Sequence, residues 1–432
     1  MMGRKEPPQE DLFIYGISLE NRVRVDHALR KVKQLIDFDF IYKEVEDTYG
    51  DNGNVSVPPP VILKLMFLFM FYNVRSEREL IETLPERLDW LWFLGYTLTS
   101  PVPNHTVLSK ARRRWGDEVF KGFFERIVTQ CQKAGLIDGT RIFMDSSLID
   151  ADASNSSVVD TLREGYRQFE ERLGGGVNSR FVSTTDPDAS IIRQGGSPKL
   201  RYKTHRVVDG PHEIITAVKV TPGAMNEGHE MASLIDTHEA NTGRKVDTVI
   251  ADSHYGTKEN LLICHDKGIE PHMPAIKALY ENTSSRKGIF PEDRFTYHKD
   301  TDTCICPAGK ILKKAAVHKQ NIEYRASKED CSSCPLRPEC TRSGGPRGIQ
   351  RSVRKDELDH MMSIAMSEKA KKNLKTRQHL MERSFARSTR FRFDRARWRG
   401  LWKVAIQEYL VCVIQNIQAL IRHGGKTMEA VT

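Results

Sequence analysis

The sequence predicts a mixed α/β protein with a helical N-terminal region, and two observations support this fold class. The first 135 residues carry apolar residues at helical spacing, and prolines separate the helices from one another. From about residue 138 the pattern changes to short β-branched runs in the order strand, two strands, helix, strand. This order differs from the regular alternation of strands and helices that is typical of a doubly wound sheet.

Three features of the N-terminal region predict individual helices. The apolar run VILKLMFLFMFY at 61–72 is too short to span a bilayer and predicts a buried helix. Ser76 and Glu79 have the spacing of a capping box. The segment NHTVLSKARRRWG at 104–116 predicts an N-capped helix, whose basic residues are Lys110, Arg112, Arg113 and Arg114. Such a helix can contact DNA phosphates, although a solvated basic face explains the pattern equally well.

The later elements follow from the same patterns. A strand is expected at Ile142–Met144, and the runs Tyr202–Val208 and Ile214–Val220 predict a hairpin across DGPHE. A helix over Glu227–Ala240 and a buried strand over Val246–Ala251 come next. Further helices are predicted at 355–389 and 398–422, and the polar segment 174–198 is expected to be a mobile loop.

The charge distribution favours a polyanionic partner. The chain has a formal net charge of +9, and nine lysines and arginines lie between Lys369 and Phe393 with a single acid, Glu382. Basic clusters of this kind attract nucleic acid regardless of its sequence. The N-terminal stretch MMGRKEPPQEDLF lacks the apolar segment of a secretory signal, so we expect a cytoplasmic protein with reduced cysteines.

Three carboxylates are candidates for a metal site. Asp145 follows the run Ile-Phe-Met, Asp252 follows a second buried run in TVIADSHYG, and Glu382 borders an apolar helical stripe. Acids presented from rigid strand ends suit Mg²⁺, and two ions about 4 Å apart can support phosphoryl transfer. Each aspartate taken alone is more typical of a turn or a helix cap. The alternative for Glu382 is a surface contact to Gln378 or Ala386, which is weakened because neither residue is a cation.

Five of the eight cysteines lie in the polar stretch 270–350, namely Cys304, Cys306, Cys331, Cys334 and Cys340. The Cys331-x-x-Cys334 pair has the spacing of a zinc knuckle. Four thiolates could therefore bind one structural Zn²⁺ with one cysteine spare, while buried reduced cysteines remain the alternative.

Several segments in the same order resemble one known family. They are PNHTVLSKARRRW, MDSSLIDADAS, YKTHRVVD, ADSHYG, YRASKEDCSSCPLRPEC and RQHLMERSFA. The chain resembles a DDE transposase of the IS1182 type, within the IS4/IS5-like group of bacterial insertion sequences. The resemblance implies an RNase H-like catalytic core, a helical N-terminal DNA-binding domain, and Mg²⁺ or Mn²⁺ as cofactor.

The resemblance also assigns residues. It implies that Asp145, Asp252 and Glu382 are the catalytic metal ligands. Related transposases place an arginine four residues before the glutamate and a lysine seven after it, where this chain has Gln378 and Thr389. The residues expected to contact DNA, besides the basic helix, are Lys203, His205, Arg377, Arg383, Arg387 and Arg390. We expect Asp150 and Asp152 to lie beyond the strand as turn and loop acids.

The expected function is cleavage at insertion-sequence ends followed by strand transfer, performed by a homodimer that holds two ends. A metal-dependent nuclease of the same fold without strand transfer is the first alternative, and a catalytically decayed DNA-binding protein is the second. The expected domains are 1–136 (helical, DNA-binding), 137–269 (first part of the core), 270–350 (cysteine-rich insertion) and 351–432 (C-terminal helices of the core).

Overall fold

The computed structural model describes residues 1–4, 18–51, 53–160, 180–193, 195–275 and 288–428. The chain divides into two compact units, one formed by Met1–Asp247 and Lys375–Thr432, the other by Thr248–Leu374. The described helices are α1 (Leu19–Arg22), α2 (Ala28–Leu35), α3 (Ile41–Val45), α4 (Pro59–Phe71), α5 (Glu77–Thr83), α6 (Leu88–Leu94), α7 (Thr106–Trp115), α8 (Glu118–Lys133), α9 (Met231–Thr242), α10 (Lys258–Lys267), α11 (Lys328–Ser332), α12 (Arg337–Cys340), α13 (Lys355–Ala365), α14 (Glu368–Thr389) and α15 (Leu401–Met428).

The described strands are shorter on average than the helices. They are β1 (Arg141–Asp150), β2 (Val158–Asp160), β3 (Phe181–Ser183), β4 (Ser190–Ile192), β5 (Lys199–Asp209), β6 (Ile214–Pro222), β7 (Thr248–Ile250), β8 (Glu270–His272), β9 (Thr296–His298), β10 (Thr303–Ile305), β11 (Ile311–His318), β12 (Asn321–Arg325) and β13 (Gly348–Ser352). The protein is therefore a mixed α/β protein with a helical N-terminal region, as the sequence predicted.

The N-terminal helices of the first unit pack around α4. Every residue of α4 from Pro59 to Met70 is buried, which confirms the predicted buried helix. Lys64 is accommodated there because its Nζ donates to the carbonyl of Phe93 at 3.0 Å. The capping prediction is also confirmed, since the backbone N–H of Glu79 donates to Ser76 Oγ at 3.1 Å at the start of α5.

The sheet of the first unit is built on a long hairpin. Strands β5 and β6 pair antiparallel, and β1 pairs with β5 so that Asp145 lies opposite Arg206. The predicted hairpin is therefore confirmed, and most residues of both strands are buried. The short strand β4 pairs with the first residues of β5.

Helix α15 is the central helix of the first unit. Among the described residues it is the one helix long and apolar enough to cross a membrane, but 83% of its most apolar stretch is buried within the protein. Just before it, Arg397 donates to the carbonyl of Val74 at 2.7 Å, and Trp398 donates to Glu77 at 3.2 Å. The N-terminal helices thus share one compact unit with the sheet, whereas the sequence suggested a separate domain for residues 1–136.

The second unit contains a parallel pair of strands and a small antiparallel sheet. Strands β7 and β8 are parallel, with Val249 opposite Pro271. The antiparallel sheet has the order β13-β12-β11-β10-β9 around an apolar core that includes Leu312, Tyr324 and Ile349. The sequence predicted a cysteine-rich segment here but none of these five strands, because four of them have only three to five residues and β11 contains two lysines and a histidine among its apolar residues.

Two sequence predictions need correction. The helix expected over 355–389 is interrupted at Met366 and Ser367, where Ser367 Oγ accepts the N–H of Ala370 at 3.2 Å and caps α14. The segment 174–198 was expected to be a loop, but its described part contains β3 and β4. Residues 174–179 lie outside the described residues.

Candidate active site and nucleic-acid interface

Asp145 lies in the middle of β1, not at its end. Its Oδ1 accepts the N–H of Ser146 at 2.8 Å, and its Oδ2 lies 3.0 Å from Nη2 of Arg377. The Asp145 side chain remains 23% exposed, whereas that of Arg377 is only 11% exposed. The carboxylate is therefore held by a buried cation and is still open on one side.

Helix α14 is oriented by the same arginine. Arg377 Nε donates to the carbonyl of Met144 at 2.9 Å, so α14 lies against β1 next to Asp145. Met381, Ser384 and Ser388 follow along the buried face of the helix. Glu382 comes directly after Met381 and is exposed, and its Oε1 accepts a hydrogen bond from Gln378 at 3.2 Å. This is the surface contact that the sequence offered as the alternative interpretation of Glu382.

The two acids after Asp145 have separate partners. Asp150 is the last residue of β1, so the expectation that it lies beyond the strand was wrong; pairing with β5 extends the strand. Its carboxylate accepts from Lys199 and Arg201, each at 2.8 Å. Partial burial acts to raise the pKa of Asp150, but these two hydrogen bonds outweigh it and the pKa lies below its usual range. Asp152 lies in a loop, as expected, 3.3 Å from Arg399.

Asp252 belongs to the second unit and follows β7 at a distance of two residues. Its Oδ1 accepts the N–H of His254 at 2.9 Å, and its side chain is 31% exposed. The predicted placement of this acid just after a buried strand is confirmed. A short strand buried on all its residues is a rigid support for a carboxylate.

A second cluster of acidic residues in this unit is neutralised by an arginine, so it needs no metal ion. His265, Asp266 and Glu357 bring ligand-type atoms together, but Arg354 lies among them. Arg354 Nη1 donates to Asp266 Oδ2 at 3.0 Å, and its Nε donates to Glu357. The hydrogen bond from Arg354 lowers the pKa of Asp266 to about 2. The arginine already supplies the positive charge that these carboxylates need.

The basic helix predicted at 104–116 is confirmed as α7, but its four cations differ. Lys110, Arg113 and Arg114 are exposed. Arg112 is buried, forms an ion pair with Glu77 and stacks over Trp398 at 4.0 Å. The prediction that Arg112 contacts DNA therefore conflicts with its position, because the side chain offers no exposed surface to a phosphate.

Two other predicted DNA contacts lie inside the first unit. His205 is fully buried, and its Nε2 lies 2.9 Å from Thr221 Oγ1. Burial lowers the pKa of His205 to about 4, so the imidazole is neutral at physiological pH. Lys203 is half-buried and forms an ion pair with Glu227 at 3.0 Å. Neither side chain is placed as a free surface cation.

The remaining cations on α14 and just after it surround the hairpin. Arg383 and Arg387 both form ion pairs with Glu213 at 2.6 Å, and Arg390 is exposed. Glu213 lies in the β5–β6 turn with a positive φ of 56°. These pairs fix the C-terminal half of α14 against the turn. Arg377, in the middle of the same helix, pairs with Asp145.

The five clustered cysteines separate into four and one. Cys306, Cys331, Cys334 and Cys340 line a common cavity in the second unit. Burial raises the pKa of Cys340, Arg347 acts against this, and negative charge on the other three thiols raises the pKa further, which reflects their proximity. Cys304 instead points into the apolar core of the small sheet, where it is 1% exposed.

A fully buried ion pair of the first unit was not predicted from the sequence. Arg206, on β5, donates from Nε to Glu408 at 2.6 Å and from Nη1 to Ser388 at 2.7 Å. Both charged side chains are 0% exposed. Glu408 is the one acid of α15, and an acid in a helix rich in apolar residues was the available signal for a buried partner.

Two protein-family models match this chain. One, described as "Transposase domain (DUF772)", matches residues 17–114, and the other, "Transposase DDE domain", matches residues 305–421. No curated protein matches the sequence. Glu382 lies within the second match, while Asp145 and Asp252 lie between the two matches.

The helical N-terminal region, the α/β sheet and the two matches together define a DNA-cleaving enzyme that uses a divalent metal. The two matches support a DDE transposase of an insertion sequence, and the combination of these two domains is consistent with the IS1182 type. Transposase domains of this kind bind DNA.

Proposed function

We propose that this transposase joins DNA as well as cutting it. Water attacks the phosphorus that joins the end of the insertion sequence to the flanking strand. The P–O3′ bond of the terminal nucleotide breaks, so the end keeps a 3′-OH and the phosphate stays on the flanking strand. That 3′-oxygen then attacks a phosphorus of target DNA; a new P–O bond forms and the existing P–O3′ bond of the target breaks. One bond is exchanged for another, so no covalent bond to the protein is needed.

We further propose Asp145, Asp252 and Glu382 as the ligands of Mg²⁺ or Mn²⁺ on an RNase H-like core. All three carboxylates are at least partly exposed, and carboxylate oxygens are the donors these hard cations prefer. When bound by these carboxylates, the ions would supply activation of the attacking oxygen and stabilisation of the leaving oxygen. The zinc predicted for the cysteine-rich stretch would act on folding and has no part in this chemistry.

The observation that carries the proposal is the contact of Arg377 with Asp145. Arg377 and Glu382 lie on the same helix, five residues apart, and Arg377 fixes that helix against the strand that carries Asp145. The helix that carries Glu382 is thereby held against β1 by a buried arginine. We therefore assign Arg377 a positioning role, in place of the DNA contact predicted from the sequence.

DNA contacts are proposed at the exposed cations. Lys110, Arg113 and Arg114 on α7, together with Arg390, have the exposure that phosphate binding needs. Arg383 and Arg387 are 54% and 39% exposed despite their ion pairs with Glu213, so they can turn towards a phosphate. In this proposal Arg112 and His205 have structural roles, and Lys203 keeps its ion pair with Glu227 and does not contact DNA.

A homodimer is proposed because two ends must be held together for both to be joined to one target. We place the enzyme in the cytoplasm, where a chromosomal substrate of a bacterial insertion sequence is found. Light scattering of the protein with and without end DNA measures the number of chains per complex. A single chain on two paired ends would contradict the dimer.

The proposal is tested with labelled end DNA, a supercoiled target plasmid and Mg²⁺. Asp145→Asn, Asp252→Asn and Glu382→Gln should each abolish end cleavage while DNA binding is retained. The matched control is Asp152→Asn, a loop acid that should leave cleavage unchanged. Retained cleavage in Glu382→Gln would remove the third ligand from the proposal.

Strand transfer needs its own test, because a nuclease would share the first step. Pre-cleaved ends with a 3′-OH should become joined to the plasmid, and ends with a 3′-deoxy terminus should not. Cleavage without joining of 3′-OH ends would identify a nuclease. Binding without cleavage in either metal would identify a decayed enzyme.

A further inference from the structure

Four of the eight cysteines line one cavity of the second unit, although they come from two separate segments of the chain. Cys306 lies in the turn after β10, Cys331 and Cys334 lie at the end of α11, and Cys340 ends α12. Their side chains line a cavity of about 20 Å³. A space of this size holds about one water molecule or one ion.

The turn that carries Cys306 is shaped to present its sulfur. The N–H of Lys310 donates to Cys306 Sγ at 3.3 Å, and the carbonyl of Cys306 accepts the N–H of Gly309 at 2.8 Å. Gly309 has a φ of +75°, a conformation that glycine adopts without strain. Cysteine binds zinc through its sulfur, and these two hydrogen bonds fix the turn that presents this sulfur.

The segment that carries the other three cysteines is held by one arginine. Arg337 donates from Nη1 to the carbonyl of Cys331 at 3.1 Å and from Nη2 to the carbonyl of Gly344 at 2.9 Å. Lys310, Arg337 and Arg347 also line the cavity. Three cations next to four sulfurs offset part of the negative charge that four thiolates would carry.

Cys304 belongs to a different environment. It lies opposite Leu312 and Tyr297 on the neighbouring strands and is buried in the apolar core. It does not line the cavity, whereas Cys306, Cys331 and Cys340 line the cavity and pack against the edge of the same core. Burial raises the pKa of the Cys304 thiol, as expected for a packing residue.

The small sheet also needs stabilisation beyond its core. Its apolar cluster contains six buried residues for the whole stretch from Phe295 to Ile349. Folds of this size usually depend on a metal, a disulfide or a partner, because so small a core does not offset the loss of chain entropy. All four cavity cysteines are free thiols in the structure.

We propose that Cys306, Cys331, Cys334 and Cys340 bind one structural Zn²⁺ and that Cys304 is not a ligand. The set gives a four-sulfur site with one Cys-x-x-Cys pair, as in zinc knuckles. Zinc joins the turn after β10 to helices α11 and α12 and thereby closes the open side of the small sheet.

The first test is the zinc content of the full chain, purified in reducing buffer and measured by elemental mass spectrometry. We expect one zinc per chain in the natural protein and in Cys304→Ala, and background zinc in Cys334→Ser. Background zinc in the natural protein overturns the proposal, and so does the loss of zinc in Cys304→Ala with zinc retained in Cys334→Ser. Cys264→Ala is a second control, since Cys264 is a buried cysteine of the same unit outside the cavity.

A second measurement does not depend on how the variants fold. Co²⁺ exchanged into the natural protein should show the visible spectrum of tetrahedral cobalt with four thiolates, and X-ray absorption of the zinc protein should show sulfur neighbours alone at about 2.3 Å. Nitrogen or oxygen neighbours would overturn the ligand set. A zinc-selective chelator in excess Mg²⁺ should lower the Tm of the natural protein and of Cys304→Ala; an unchanged Tm in both would overturn the structural role.

Discussion

Two arginine–carboxylate pairs lie between the sheet and the C-terminal helices of the first unit, and their surroundings are opposite. Arg206 and Glu408 are both 0% exposed and are enclosed by Phe385 and Phe393. Arg377 and Asp145 are 11% and 23% exposed. The pairs are neighbours, since Asp145 and Arg206 lie opposite each other on adjacent strands.

This difference in exposure indicates a structural role for the buried pair and leaves the carboxylate of the exposed pair available for catalysis. A sealed ion pair has no access to metal or DNA, and removing one partner leaves an uncompensated buried charge. An open pair gains little stability from its charges, but its carboxylate can exchange the arginine for a metal ion. The same sheet therefore carries a structural pair and, one strand away, the acid proposed for catalysis.

The largest expected change in the free energy of unfolding follows from removing the buried ion pair between Arg206 and Glu408. Glu408→Gln should lower the free energy of unfolding by about 3–5 kcal/mol, because Arg206 then stays buried without its counter-ion. Denaturant unfolding measures this loss. The double variant Arg206→Met with Glu408→Leu should recover most of it, since apolar residues suit the surrounding phenylalanines. A loss of under about 1 kcal/mol in Glu408→Gln would show that the pair is not structural.

The next largest effect is the pH dependence of the free energy of unfolding that His205, buried in the same unit, should cause. The folded-state pKa of His205 is about 4, below the value of about 6.5 in an unfolded chain. Between these values the unfolded chain binds a proton that the folded chain does not. The free energy of unfolding should therefore fall by up to about 3 kcal/mol as the pH decreases from 6.5 to 4.

The measurement compares unfolding of the natural protein and His205→Gln across that window. Glutamine keeps a polar contact with Thr221 but does not titrate, so the acid-dependent loss should be smaller in the variant. Equal slopes in the two proteins would assign the loss to other groups.

Local patterns predicted the elements that local sequence determines. The β5–β6 hairpin, the buried helix α4 and the strand before Asp252 were found because apolar and β-branched residues repeat at the period of the structure. The extension of β1 to Asp150 was missed, because the run Ser-Ser-Leu-Ile-Asp becomes a strand by pairing with β5. Tertiary contacts of this kind override local preference.

The surroundings of the charged residues were the least predictable part of the candidate site. Arg377 and Met144 are 233 residues apart in the sequence, and Arg206 and Glu408 are 202 apart. Arg112 and Arg113 are adjacent and chemically identical, yet one is buried and the other exposed. A charge pattern identifies a basic helix, but the packing partner decides which of its cations meet DNA.

A smaller effect on stability is expected at the open pair. Asp145→Asn should change the free energy of unfolding by under about 1 kcal/mol, because the amide oxygen still accepts from Arg377 and the carboxylate is partly solvated. End cleavage should nevertheless be lost. Denaturant unfolding measures the stability change, and the cleavage assay on the same preparation of the variant measures the loss of activity. A stability loss as large as that of Glu408→Gln would mean that Asp145, too, is a structural acid.

The smallest effect is expected at the far end of the same strand. Asp150 is 36% exposed, and its pairs with Lys199 and Arg201 lie near the surface, so Asp150→Asn should lower the free energy of unfolding by about 0.5 kcal/mol or less. The rate of end cleavage should stay within about twofold, which corresponds to a free-energy change of that size. Because Asp145 and Asp150 share β1, the two asparagine variants form a matched pair. If Asp150→Asn abolished cleavage while the protein stayed folded, the active site would extend along β1 to the strand end, and Lys199 and Arg201 would have to be counted among its positioning residues.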